Sequence, residues 1–340
     1  MTTASDREIN QAAQVLLQGG LVAFPTETVY GLGADAESRE AVERIYQAKG
    51  RPSNHPVIVH IAPEADLSYW AATVPDEALA LIDAFWPGPL TLILKRAAHI
   101  SDVVSGGQDS VGLRCPSHPV AQRLIRAFVT GKPSGQGGIA GPSANKFGQV
   151  SPTQASHVRD EFPELVVADM PILEGGSSEV GIESTIIDLS RLDQGIGPVL
   201  LRPGCITAKQ ISEVLERPVH QPDAQAPRVS GALKSHYAPH TPIKLVTGTC
   251  IVADAMHRVQ QTTQKIVCVT HSFDQASHPR HEQIEWVAMP VQPAAYSYAL
   301  YATLRALDQD RYDCMLWEVV PDSPDWLGIK DRLGRAAAAF

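Results

Sequence analysis

Lys49-Gly50-Arg51 sets two cations around one glycine. An arginine offers a bidentate fork and a lysine a point charge, a pair that can clamp a phosphate. The same triplet also suits a solvated helix end, where the helix dipole favours cations. Arg114 ends the apolar run Val111-Gly112-Leu113, and Arg202 follows Val199-Leu200-Leu201. An arginine is costly to bury without an anion, so Arg114 calls for a carboxylate ligand or an internal Asp or Glu. Thr26, Thr28 and Tyr30 follow a short strand, where α/β ligand sites gather, although a tight turn explains them slightly better. Gly141-Pro142-Ser143-Ala144-Asn145 can aim N–H groups, a hydroxyl and an amide at a phosphate, or be an ordinary turn. Ser184 and Thr185 place hydroxyls at a strand start, and His60 sits in the run Val57–Ile61 as a packed core or edge residue. Together these cations and hydroxyls suit an anionic, phosphate-bearing ligand.

Elements must hold these groups in place. Ser5-Asp6-Arg7-Glu8 is a capping box, and Ile9, Ala12, Ala13, Leu16 and Leu17 form one helical stripe ended by Gly19-Gly20. Further helices are expected over 39–49, 76–85 and 120–128. Strands are expected over 21–24, 56–61, 90–94, 110–114, 165–168, 184–189 and 199–201. Gly31-Leu32-Gly33 reads as a turn, and the glycine-rich stretch 130–141 as a loose loop. The irregular alternation predicts an α/β domain with a mixed sheet over 1–217. Five prolines between Pro218 and Pro242 make 218–242 a linker. Beyond it, strands at 243–246, 265–269, 284–288 and 314–319 alternate with helices at 252–261 and 294–307. That pattern predicts a small Rossmann-like domain over 243–340.

Composition narrows the function. The net charge is −9, from 37 acidic and 28 basic residues. This balance argues against a broad basic surface for nucleic acid, so any such contact is weak or transient at most and would use a small local basic pocket. Five scattered cysteines without a C-x-x-C pair argue against a disulfide framework or zinc site and fit a reducing, cytoplasmic setting. No metal site is expected, since Cys115-Pro116-Ser117-His118 has no second half. There is no signal-peptide pattern and no membrane-length apolar run. Neither G-x-x-x-x-G-K-[ST] nor G-x-G-x-x-G is present, so a nucleotide would bind through other loops.

The motifs occur as an ordered series: Pro25 to Leu32, Lys49-Gly50-Arg51, Pro56 to His60, Phe85 to Thr91, Gly112-Leu113-Arg114, Pro142 to Asn145, Glu183-Ser184-Thr185 and Leu201 to Gly204. The series resembles the YrdC-type threonylcarbamoyl-adenylate synthases and covers roughly the first two thirds of the chain. Ser235-His236-Tyr237-Ala238-Pro239 and the segment 328–336 resemble the longer, two-domain members. The resemblance implies a nucleotidyltransferase that joins L-threonine, bicarbonate and ATP, with Mg²⁺ on the nucleotide. It releases pyrophosphate and feeds a downstream tRNA threonylcarbamoyl transferase complex. Lys49 and Arg51 would then be catalytic and hold the triphosphate. Ser143, Asn145, Arg202, His60 and Tyr237 would contact the nucleotide, with Tyr237 as a lid. Arg114, Thr26, Tyr30, Ser184 and Thr185 would hold threonine. The rival readings are an RNA-binding module, a hydrogenase-maturation type of carbamoyl-adenylate enzyme and an inactive paralogue.

Overall fold

The computed structural model describes residues 3–231, 233–272, 279–310 and 312–340. Two compact units form, one from Met1–Phe147 and Ser151–Ala232, the other from Gly148–Val150 and Leu233–Phe340. The proline-rich stretch 218–242 therefore divides between them. Its earlier part packs with the first unit, where His220 pairs through its backbone with Pro198 and Leu200.

The first unit opens with α1 (Asp6–Leu17), β1 (Val22–Phe24), β2 (Gly31–Asp35), α2 (Arg39–Lys49), β3 (Ile58–His60), α3 (Leu67–Trp70) and α4 (Asp76–Phe85). There follow β4 (Leu90–Lys95), β5 (Ser110–Arg114), α5 (Pro119–Thr130), β6 (Ile139–Ala140), α6 (Ala155–Glu161) and α7 (Pro163–Val167). It closes with β7 (Thr185–Asp188), β8 (Val199–Arg202) and α8 (Ala208–Leu215). The eight strands make one sheet in the order β1-β2-β6-β3-β5-β4-β7-β8. Only β3/β5 and β4/β7 run parallel; the other pairs are antiparallel, which makes the sheet mixed as the sequence predicts. The capping box at Ser5 and Glu8 forms. Leu16, Phe24, Leu124 and Phe128 are buried together where α1 packs on α5. Each such side chain contributes about 1.5–3 kcal/mol by leaving water.

Two expectations are corrected here. The stretch 165–168 is not a strand. Pro163 starts the short helix α7, and Val167 is 86% exposed, so this run has no core face to bury. Gly31-Leu32-Gly33 is not a turn but the start of β2, paired antiparallel with β1 through Val22↔Gly33 and Phe24↔Gly31. The pairing had no signature in the sequence because it depends on Phe24, whose ring lies across the β2 backbone.

In the second unit, β9 (Ile243–Val246), α9 (Gly248–Gln261), β10 (Ile266–Thr270), β11 (Ile284–Ala288), α10 (Pro293–Gln309), β12 (Cys314–Glu318) and α11 (Leu327–Ala337) follow in turn. Its four strands are all parallel, in the order β11-β10-β12-β9. Helix α9 buries Ile251, Ala255 and Val259 against Ile266, Cys268 and Leu316. This is the Rossmann-like layering expected of β/α alternation.

Candidate active site

Lys49 ends α2, whose buried positions are Ala41, Val42, Ile45, Tyr46 and Lys49. The lysine therefore lies on the apolar stripe of its helix and is 3% exposed, which rules out the solvated-cap reading. Its Nζ donates to the Ser143 carbonyl at 2.6 Å and to the Asn145 carbonyl. The Phe147 N–H returns to the Lys49 carbonyl at 2.8 Å. The 143–147 loop is thus wrapped around the end of α2. Burial holds the ammonium well below its ordinary pKa, and the nearby Arg51 charge adds to the effect.

Arg51 donates to the Pro56 carbonyl at 2.6 Å and reaches Ser230 Oγ at 3.3 Å. Ser230 also accepts Arg202 through its carbonyl, at 3.0 Å. Arg202 in turn lays Nε and Nη2 on the Ser184 carbonyl at 3.0 and 2.9 Å, and reaches Ser184 Oγ at 3.1 Å. Ser184 Oγ meets Thr91 Oγ1 at 2.8 Å. One serine therefore links Arg51, just past the end of α2, and Arg202 of β8. Ser230 was not singled out from sequence, since an isolated hydroxyl carries no pattern, and Thr91 entered only as the end of the Phe85–Thr91 motif with no role given to it.

Arg114 has an internal partner. Its Nη2 lies 2.6 Å from Glu27 Oε1, with both side chains about 5% exposed or less (5% and 4%). Nε donates to the Gly88 carbonyl at 3.3 Å, and Glu27 Oε2 accepts the Ser117 N–H at 3.1 Å. Glu27 stands inside the Pro25–Gly33 motif, and the open choice between a ligand and an internal acid was the signal for it. Beside it, Thr26 Oγ1 donates to the Val29 carbonyl at 2.6 Å and lies 2.9 Å from Thr28 Oγ1. Tyr30 spans to the 175–176 turn, donating to the Gly176 carbonyl at 2.9 Å and accepting the Gly175 N–H at 3.1 Å. Burial pushes its phenol up to about 12. Thr185 Oγ1 donates to the Ile206 carbonyl at 2.7 Å.

These groups do not share one end of the strands. Phe24 pairs with Gly31, so the Thr26–Tyr30 loop leaves the sheet where β1 ends and β2 begins. Following the antiparallel pairs from β2 across β6 to β3, and then the parallel pair to β5, puts Arg114 at the opposite end of the strands. Curling of the sheet brings Glu27 and Arg114 together, at 2.6 Å.

His60 is buried and stands edge-on to Phe24, with ring centroids 5.6 Å apart. Its pKa falls to about 3, through burial first and the Arg114 charge second, so the ring is neutral. Gly141 explains how tightly the loop is set. A Cβ there would stand 3.0 Å from both His60 Nδ1 and Phe24 Cζ. The stretch 130–141 is not a loose loop at its far end, because Ile139 and Ala140 are buried in β6. Gly141→Ala is expected to push His60 or Phe24 aside and cost about 1–3 kcal/mol by overpacking. Thermal melting together with the rate of product formation checks this; an unchanged midpoint would show the rings have room to spare.

Tyr237 belongs to the second unit, where it is 1% exposed with φ of 60°. Among the described residues, no group of three His, Cys, Asp or Glu side chains could hold a metal ion, and no helix is long and apolar enough to cross a membrane.

A mixed α/β unit whose curled sheet gathers buried cations and hydroxyls, followed by a Rossmann-like unit, defines a two-domain YrdC-type protein. The family model described as telomere recombination matches residues 14–204, and that of the threonylcarbamoyl-AMP synthase C-terminal domain matches 206–338. The threonylcarbamoyl-AMP synthase of Bacillus subtilis is 38% identical over 98% of this chain and 94% of its own. The Pyrococcus abyssi protein of the same name is 35% identical over 97% of this chain and 94% of its own. The crystal structure of P. abyssi Sua5 complexed with L-threonine superposes with a TM-score of 0.83 at 33% identity, covering 98% of this chain and 95% of the other. The chain belongs to the threonylcarbamoyl-AMP synthase family, in its two-domain form. It is an enzyme of the AMP-transferring kind. The readings as an RNA-binding module or a hydrogenase-maturation enzyme are not favoured by these relatives.

Proposed function

We propose that the chain makes threonylcarbamoyl-AMP from L-threonine, bicarbonate and ATP. The threonine amine first bonds to the bicarbonate carbon, and loss of water leaves a carbamate. A carbamate oxygen then attacks the α-phosphorus in line, and the bond to pyrophosphate breaks. Such a transfer needs positioning and charge neutralisation more than a protein nucleophile. The observation that carries the reading is the buried network Arg51–Ser230–Arg202–Ser184, beside a lysine-held loop of Ser143 and Asn145. It brings Arg51, which follows α2, and Arg202 of β8 to the one residue Ser230.

In this reading Arg51 and Arg202 take the triphosphate, which carries Mg²⁺ on its own oxygens as part of the substrate. Ser143 and Asn145 face the adenylate phosphate, and Lys49 acts there through the loop it holds. Arg114 takes the threonine carboxylate while Glu27 keeps its fork in place. Thr26, Tyr30, Ser184 and Thr185 shape the pocket for threonine and the carbamoyl group. Neutral His60 sets the pocket wall without competing for protons. The product then passes to a transferase acting on tRNA in the cytoplasm.

The test follows pyrophosphate release and the threonylcarbamoyl-AMP mass together, leaving out threonine or bicarbonate in turn. The adduct is expected only with both present. Pyrophosphate released with carbamoyl phosphate in their place would move the hydrogenase-maturation reading ahead. Salt-sensitive tRNA binding without turnover would point to an RNA-binding module.

A further inference from the structure

Residues 221–231 carry neither helix nor strand, so their backbone groups must find partners elsewhere. This strap is pinned repeatedly, and every contact below lies within the first unit. Arg191 Nη1 donates to both carboxylate oxygens of Asp223, at 2.9 and 3.0 Å. Further on, the Gln108 side chain takes both backbone groups of Arg228. Its Oε1 accepts the N–H at 2.7 Å, and its Nε2 donates to the carbonyl at 3.0 Å. One amide thus pairs with Arg228 as a neighbouring strand would. Val229 follows, buried with Ile93 and Ile186, and then Ser230 meets Arg51 and Arg202.

Gln108 itself stands on a firm base. Ser105 is buried, and its Oγ donates to the Gln108 carbonyl at 2.7 Å. Gln108 Nε2 donates also to the Ser105 carbonyl, at 3.1 Å. The same loop backs the segment that holds Arg51. Val57 N donates to the Val104 carbonyl at 2.8 Å, next to the Pro56 carbonyl that accepts Arg51. Gly106 has a φ of 61°, and a Cβ there would stand 2.5 Å from the Asn54 carbonyl oxygen. One close-packed loop therefore supports Arg51 on one side and the strap that carries Ser230 on the other.

The clamp at Arg228 fixes register. A chain advances at most about 3.3–3.6 Å per residue, so holding Arg228 confines Ser230 to within about 7 Å of it. A slip of one residue would bring Val229 or Gly231 to the guanidiniums, and neither has a hydroxyl. It would also draw Val229 out of its apolar seat. In register, Ser230 offers two acceptors at once, Oγ to Arg51 and the carbonyl to Arg202. Two like charges are thereby held side by side before any phosphate arrives, and they need no rearrangement to meet one.

We infer that Gln108 is a positioning residue for nucleotide binding and acts through Ser230. The inference rests on the reading above that Arg51 and Arg202 take the triphosphate. Arg191 and the burial of Val229 already tether the strap, so attachment alone does not call for a clamp on both backbone groups of Arg228. The contribution of Gln108 is to select the one register in which a serine reaches both arginines.

Equilibrium titrations of the full chain with ATP and with L-threonine test this, using Gln108→Ala, Ser230→Ala and the pair, beside thermal melting and threonylcarbamoyl-AMP formation. Gln108→Ala is expected to raise the Kd for ATP about tenfold and that for threonine less than about twofold. With Ser230→Ala already in place, it is expected to add less than about twofold for ATP. Gln108→Glu still accepts the Arg228 N–H but has no donor for its carbonyl, and about threefold weaker ATP binding is expected. This variant carries the cycle should Gln108→Ala fail to fold. An unchanged Kd for ATP, equal losses toward ATP and threonine, or losses that multiply fully in the pair overturn the inference. So does tighter ATP binding by Gln108→Ala, since the strap would then be an obstruction. A wild-type chain that binds ATP and forms no threonylcarbamoyl-AMP sinks the proposed function, while the Gln108 effect on the Kd still decides the inference. A chain that binds no ATP overturns both.

Discussion

Lys49→Met is expected to cut threonylcarbamoyl-AMP formation by about 100-fold or more while leaving the fold intact. The lysine donates to two carbonyls of the 143–145 loop, and its neighbours on α2 bury it almost completely. A hydrogen bond from a charged donor contributes about 1.5–3 kcal/mol, and about 1.4 kcal/mol is tenfold in rate. Losing one or two such bonds frees the loop that presents Ser143 and Asn145. Methionine fills a similar volume and removes a desolvated ammonium, so the loss in activity should exceed any loss in stability. The measurement pairs pyrophosphate release with thermal melting. A variant that keeps more than a third of wild-type activity would mean that the loop holds its shape without Lys49. Lys49→Arg should fail as well, because a planar guanidinium does not fit a site built for a point donor.

The second large effect concerns Arg114 and Glu27. Breaking a buried ion pair by removing one partner costs about 3–5 kcal/mol, since the other charge is left uncompensated. Glu27→Ala is therefore expected to destabilise the chain by that amount and to misplace the Arg114 fork. Arg114→Ala should destabilise it similarly, and in addition raise the KM for threonine by about 100-fold with little change in the KM for ATP. Denaturant unfolding and initial rates at varied threonine separate the two. Equal losses toward threonine and ATP would assign Arg114 a structural role only. A double variant, Glu27→Gln with Arg114→Met, should recover much of the stability and none of the threonine affinity.

Much of this protein was legible in the order of its residues. The capping box at Ser5, the helix over 39–49 and the strands around Arg114 and Thr185 follow from local periodicity and punctuation, which neighbours in sequence determine. The parallel strands of the second unit were equally readable, because each is a short apolar run bounded by a helix. Residues 165–168 misled, since a β-branched run says nothing about whether a sheet is there to receive it. Pro163 and solvent decided that stretch in favour of a helix.

For the site, the sequence alone determined the inventory: which strand ends carry Arg114, Ser184 and Arg202, and which loops carry hydroxyls. Only the tertiary structure decided how they meet. Glu27 and Arg114 are 87 positions apart by subtraction of their numbers and belong to opposite ends of the strands, yet they touch at 2.6 Å because the sheet curls. Lys49 turned inward because Val42, Ile45 and Tyr46 share its helical stripe. Ser230 became the link between Arg51 and Arg202 only when the segment before residue 232 folded back on the first unit. Charges and hydroxyls are properties of single residues, whereas burial, distance and partner choice belong to the packed chain.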